Sequence, residues 1–76
     1  MKVHDIIKMK YLVIFERAGE NYSAYSPDVP GCIATGKTRD EVEKNIKEAI
    51  SFHINGLVKD RLPIPEPSSF TEYVEA

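Results

Sequence analysis

An uninterrupted apolar run, Tyr11-Leu12-Val13-Ile14-Phe15, stands between Lys10 and the charged pair Glu16-Arg17. Its β-branched and aromatic content predicts a strand, and the lack of polar alternation places apolar side chains on both faces, as in a buried strand. Ala18-Gly19-Glu20-Asn21 supplies turn chemistry, and Tyr22-Ser23-Ala24-Tyr25-Ser26 returns as a second strand, so the two read as an antiparallel hairpin. An arch follows, Ser26-Pro27-Asp28-Val29-Pro30-Gly31-Cys32, in which two prolines fix φ. Its Pro30-Gly31 pair suits a type II turn, with Gly31 at the position that needs positive φ. Cys32-Ile33-Ala34-Thr35-Gly36 then gives a third, shorter strand and completes a meander.

From Thr38 onward the period changes from two to 3.6. Val42, Ile46, Ala49, Ile50, His53 and Leu57 fall on one helical stripe, while Lys44, Lys47, Glu48, Ser51 and Asn55 lie mostly elsewhere. Thr38 with Glu41 three residues later is a capping-box pattern, and Asp40, Glu41 and Glu43 put negative charge at the positive end of the helix dipole. The helix is predicted to end near Lys59-Asp60, because Pro63, Pro65 and Pro67 impose an extended path over 61–69. Phe70 to Glu75 reads as a short fourth strand, which a right-handed crossover returns beside the first and parallel to it. The expected fold is therefore α+β, in the order β-β-β-α-β, with the helix on one face of the sheet. The other face, which receives Leu12 and Ile14, is left to meet another chain, the N-terminal segment or the C-terminal tail.

The length of 76 residues allows one domain, 1–76, with residues 1–10 as an arm or strand extension. A core of this size rarely supplies more than roughly 3–5 kcal/mol, which favours a homo-oligomer, dimer or tetramer, or a partner as stabiliser. Ten basic against twelve acidic side chains give a net charge of −2, unlike a chain whose main task is neutralising nucleic-acid phosphate. A single cysteine excludes an intramolecular disulfide, and the Cys/His pairs of a structural zinc site are missing. Without the apolar run of a signal peptide or a membrane span, the expected location is the cytoplasm.

Tyr22-Ser23-Ala24-Tyr25, Ser26-Pro27-Asp28-Val29-Pro30-Gly31-Cys32, the Thr-capped helix with Glu48-Ala49-Ile50, and His53-x-x-Gly56-Leu57 leading to Pro63-Ile64-Pro65-Glu66-Pro67 together resemble the HicB-like antitoxin family. The resemblance covers roughly Tyr11 to Ser68 and rests on the order and spacing of pieces that are individually weak. It implies a partial RNase H-like fold and the antitoxin role in a type II toxin–antitoxin pair. The implied partner is a HicA-type toxin that cleaves mRNA, neutralised by direct protein binding. Many members also carry a C-terminal DNA-binding domain; here no DNA-reading helix is left to assign, which puts direct operator binding in doubt. Lys2, Lys8 and Lys10 read as solvating an N-terminal arm.

No catalytic, metal or cofactor site is expected. The RNase H-type reaction needs carboxylates converging on two metal ions, and the first strand offers none from Tyr11 to Phe15. His53 reads as a half-buried packing residue and Cys32 as a small apolar side chain at the start of the third strand, each lacking a partner for chemistry. His4 lies in a segment that gives it no assignable role. The residues expected to touch a partner are Tyr25, an amphipathic anchor, Asp28 and Pro30, held out by the rigid arch, and Glu16 and Glu20, whose charge complements a basic toxin. The alternative is an orphan binding or oligomerisation module with no toxin partner.

Overall fold

The structure is a computed structural model and describes residues 9–76. Three strands, β1 (Ile14–Ala18), β2 (Asn21–Tyr25) and β3 (Ile33–Gly36), precede one helix, α1 (Arg39–Lys59). The sheet is antiparallel in the order β1-β2-β3, the expected meander. Gly19 and Glu20 form the two-residue turn of the first hairpin, between the paired Ala18 and Asn21.

The arch closes with two consecutive turns, Val29 N–H donating to Ser26 O and Cys32 N–H to Val29 O, each at 3.2 Å. The second places Gly31 at φ 85, the backbone region the Pro-Gly pair predicts. Val29 is fully buried beneath this turn, and the buried Ser26 hydroxyl donates to Leu12 O at 2.7 Å, so the arch is fastened to the chain entering β1.

Thr38 caps α1 through Oγ1, which accepts from Glu41 N–H at 3.1 Å. The Glu41 carboxylate accepts from Lys37 N–H at 2.5 Å, one residue earlier than the reciprocal bond of a standard capping box. At the other end Arg61 N–H donates to Val58 O and Leu62 N–H to Leu57 O, a Schellman closure with Arg61 at φ 58 where glycine is usual. The predicted stripe is the packed face: Val42 and Ile46 are buried, and Ala49, Ile50, His53 and Leu57 are half-buried.

Residues opposite one another in an antiparallel ladder share a face. Phe15, Ala24 and Ala34 therefore form one row on the helix side, and Arg17, Tyr22 and Gly36 the next. Ala24, Val42 and Ile46 form the core, with Val13, Tyr22, Ala34 and Ile50 packed against it. Small residues at 24, 34 and 36 let the helix approach closely. A Cβ on Gly36 would lie 2.6 Å from Val42 N. Because that neighbour is helix backbone, Gly36→Ala is expected to cost about 1–3 kcal/mol, read as a lowered urea midpoint with unchanged slope.

Two expectations are corrected. First, β1 begins at Ile14 rather than Tyr11 and is not buried, since α1 lies over β3 and β2 and leaves β1 uncovered. Phe15, on the helix side, remains 46% exposed. Second, no fourth strand joins the sheet among the described residues: 62–76 carries no regular structure, and among those residues the outer edge of β1 is unpaired. Within it Ile64 is half-buried, while Leu62, Phe70, Tyr73 and Val74 remain exposed. The expected arm over 1–10, with His4, Lys2 and Lys8, lies almost wholly outside the described residues.

Candidate partner-binding surface

The face of the sheet away from α1 carries an apolar row crossing all three strands, because Ile14 pairs with Tyr25 and Tyr25 with Ile33. Ile33 is 69% and Tyr25 38% exposed. The next row is polar, Glu16-Ser23-Thr35. The open face thus presents an aromatic centre between two isoleucines, bordered by a carboxylate. Large, rigid apolar groups with a polar rim are the usual make-up of a protein interface.

Of the five residues expected to touch a partner, Tyr25 and Glu16 share this face. Glu20 is exposed at the tip of the first hairpin, beyond the polar end of the sheet, and Pro30 is exposed on the arch that follows Tyr25. Tyr22 and Tyr25 do divide between the two faces, Tyr22 packing against the core.

Asp28 stands apart, because its carboxylate is already engaged inside the chain. Oδ2 accepts from Ser68 N–H at 3.0 Å and Ser69 N–H at 2.9 Å, while Oδ1 accepts from the Ser68 and Ser69 hydroxyls at 3.1 and 2.9 Å. Nearby, Tyr11 donates its hydroxyl to Pro65 O at 2.6 Å. These bonds clasp the Pro-rich connection to the arch and to the start of the first apolar run. The Ser69 N–H, opposed by partial burial and reinforced by the other serine donors, holds the Asp28 carboxyl below its ordinary value. Burial, then the negative charges of Asp28 and Glu66, pushes the Tyr11 phenol up.

The sign of the pH effect follows. A carboxyl depressed in the folded state stabilises the clasp fully above its unfolded value, and that stabilisation disappears as pH falls through the folded one. The clasp should stay closed from neutral pH down to the ordinary aspartate value of 3.8 and open only below it. Asp28→Ala should open it at every pH, raising amide exchange at Ser68 and Ser69 on the order of tenfold while the helix amides are unchanged.

Cys32 is buried, its thiol donating to Ala49 O at 3.8 Å, and burial pushes the thiol pKa up, away from the thiolate a nucleophile needs. His53 is half-buried on the packed stripe, as expected. An open cleft of about 590 Å³ lies beside β1 and the start of α1, lined by Phe15, Arg17, Tyr22, Arg39 and Asp40 among others, with the Arg17 guanidinium 5.6 Å from the Tyr22 ring centre. No three His, Cys, Asp or Glu side chains among the described residues are grouped to hold a metal ion. No helix among them is long and apolar enough to cross a membrane.

Sequence reasoning missed Ile33 as the third member of the open row and Ser68-Ser69 as the partners of Asp28. The first was available from strand alternation, since Ile33 sits between the inward Cys32 and Ala34. A bond between residues 40 positions apart leaves no local signal. The exposed Phe52 on the outer side of α1 was also missed.

Residues 11–76 match the model of the family described as the HicB-like antitoxin of bacterial toxin–antitoxin systems. The chain belongs to the HicB-like antitoxin family. Its fold superposes on a chain of the HicA3 and HicB3 toxin–antitoxin complex with a TM-score of 0.65 and 32% identity, covering 79% of this chain and 70% of that one. It is 40% identical over 62 residues to a UPF0150 protein of Thermoplasma acidophilum, 80% of this chain and 90% of the relative. It is also 39% identical over 66 residues, 87% of this chain, to an uncharacterized 14.9 kDa protein from the rep-hol intergenic region of Haemophilus phage HP1. This HicB-like chain spans 50% of the length of that phage relative.

Proposed function

We propose that this HicB-like chain neutralises a HicA-type, mRNA-cleaving toxin in the cytoplasm by binding it directly and covering its RNA-cleaving site. The observation that carries the reading is the Ile14-Tyr25-Ile33 row, with Tyr25 and Ile33 exposed and Glu16 beside it, on a face that its own helix does not cover. Blocking an active site requires complementary surface and no chemistry, so the chain acts without catalysis. Tyr25 anchors the contact, with Pro30 at one end of the sheet and Glu16 and Glu20 toward the other steering a basic partner. Asp28 contributes by holding the arch and the Pro-rich connection in place, since its oxygens already have donors. The likeness to a chain of a toxin–antitoxin complex supports the partner class.

The test is co-expression with a HicA-type toxin, taken from beside this gene where one is encoded there. Growth rescue with co-purification of both chains is the expected result. A folded chain that neither rescues growth nor co-purifies would shift the assignment to an orphan binding module.

A further inference from the structure

The open row depends on the arch for its spacing. Tyr25 ends β2, Ile33 begins β3, the two face each other in the ladder, and Ser26 to Cys32 is the chain that joins them. A shift of the arch is therefore a shift of the row's two exposed members and of Pro30, which stands on the arch itself. The buried Val29 and the Ser26 hydroxyl on Leu12 O fix the arch to the body of the molecule at two points. Asp28 fixes it at a third, through the donors it takes from Ser68 and Ser69.

Those serines lie on no regular element, since 62–76 carries none. What holds them is the strip before them, where Pro63, Pro65 and Pro67 limit φ and the Tyr11 hydroxyl donates to Pro65 O. That strip begins where α1 closes, with Leu62 N–H on Leu57 O. The bonds complete a circuit, from the arch through β3 and α1 to the Pro-rich connection and back to the arch at Asp28. In a circuit of stiff, packed parts, displacement at one joint is passed to the next instead of being absorbed by a loose loop.

We propose that the Asp28 clasp is a tether that sets the open face from a distance: closed, it holds Tyr25, Pro30 and Ile33 in the arrangement a partner meets, and a partner seated on them tightens it in return. The reciprocity is thermodynamic, because a closed clasp that favours binding by some factor is itself favoured by binding to the same factor. Asp28 is then a positioning residue. Direct contact between its carboxylate and a basic partner would have the opposite sign, since the carboxylate would surrender donors it already holds and the clasp would open on binding. The inference rests on the antitoxin reading for the identity of the partner alone; the tether belongs to the free chain.

The variant that separates the roles is Ser68→Ala/Ser69→Ala, which removes the two hydroxyl donors and leaves Asp28 and the arch untouched. In the free chain, amide exchange at Val29 and Cys32, whose N–H groups close the arch turns, should rise about fivefold in this variant and in Asp28→Ala, with the α1 amides unchanged. In the complex of the wild type with a purified HicA-type toxin, exchange at Ser68 and Ser69 should slow about fivefold, and both variants should bind that toxin about fivefold more weakly. Arch exchange indifferent to both variants would overturn the tether. So would faster exchange at the serines in the complex, the mark of direct contact, or a double variant that binds as tightly as the wild type. A toxin that fails to bind the wild type, with the arch response present, removes the antitoxin reading and leaves the tether standing.

Discussion

Ile46→Ala is expected to abolish cooperative folding of the isolated domain. The side chain is 1% exposed and, with Val42 and Ala24, makes up the core between α1 and the sheet. Deleting it costs about 2–5 kcal/mol in transfer and cavity terms, and a core of this size supplies only roughly 3–5 kcal/mol in all. The small neighbours Ala24, Ala34 and Gly36 cannot fill the space. Urea titration followed by far-ultraviolet circular dichroism should show a sigmoidal transition for the wild type and a baseline-free decline for the variant. Phe52→Ala is the matched control: its ring is larger but 83% exposed on the outer side of α1, and its removal should change stability by less than about 0.5 kcal/mol. Equal losses at the two positions would mean that the helix packs on a face other than the one described.

Tyr25→Ala is expected to leave the fold intact and to weaken the proposed toxin complex by at least about 30-fold, the effect of losing one 2 kcal/mol hot spot. Tyr25 lies at the middle of the apolar row, flanked in register by Ile14 and Ile33, so a partner seated on this face desolvates it most completely. Glu20→Ala at the hairpin tip should behave differently. A solvated rim charge affects association rate and salt dependence, and the affinity should change by only about 2- to 3-fold. Titration calorimetry at two salt concentrations separates the cases. If Glu20 proved the larger loss, charge would dominate recognition and the apolar row would belong to another contact.

The meander, the turn at Pro30-Gly31, the Thr38 cap and the packed stripe of α1 were all legible in the sequence, because each is set by residues within a turn or two of one another. Gly31 reaches positive φ for the reason a Pro-Gly pair predicts, and Val42 and Ile46 are buried because the 3.6 period puts them there. The exposure of β1 was not legible. An apolar run signals that a strand will be covered, without saying by what, and in the single chain the helix sits over the other two strands. The same holds for residues 70–76, whose composition is that of a strand and whose backbone finds no ladder in its own chain.

The candidate surface was legible in part. Tyr25 and Glu16 were available from alternation, and they do share the open face. Asp28 was read as a group presented outward by a rigid arch, and the arch is as rigid as its prolines suggest. Its carboxylate nevertheless faces Ser68 and Ser69, and no local pattern links an arch to serines 40 and 41 residues downstream. The family resemblance carried by the arch and the helix agrees with the match over residues 11–76 and with the fold of a chain from a toxin–antitoxin complex.

The central claim is that this chain silences an RNA-cleaving toxin by occupying it. The direct measurement is cleavage of a labelled RNA by a purified HicA-type toxin, titrated with the purified wild-type chain. The account predicts that cleavage falls linearly with added chain and stops at a fixed stoichiometric ratio, with Tyr25→Ala requiring a large excess. Cleavage that continues unchanged in the presence of excess folded chain would contradict it.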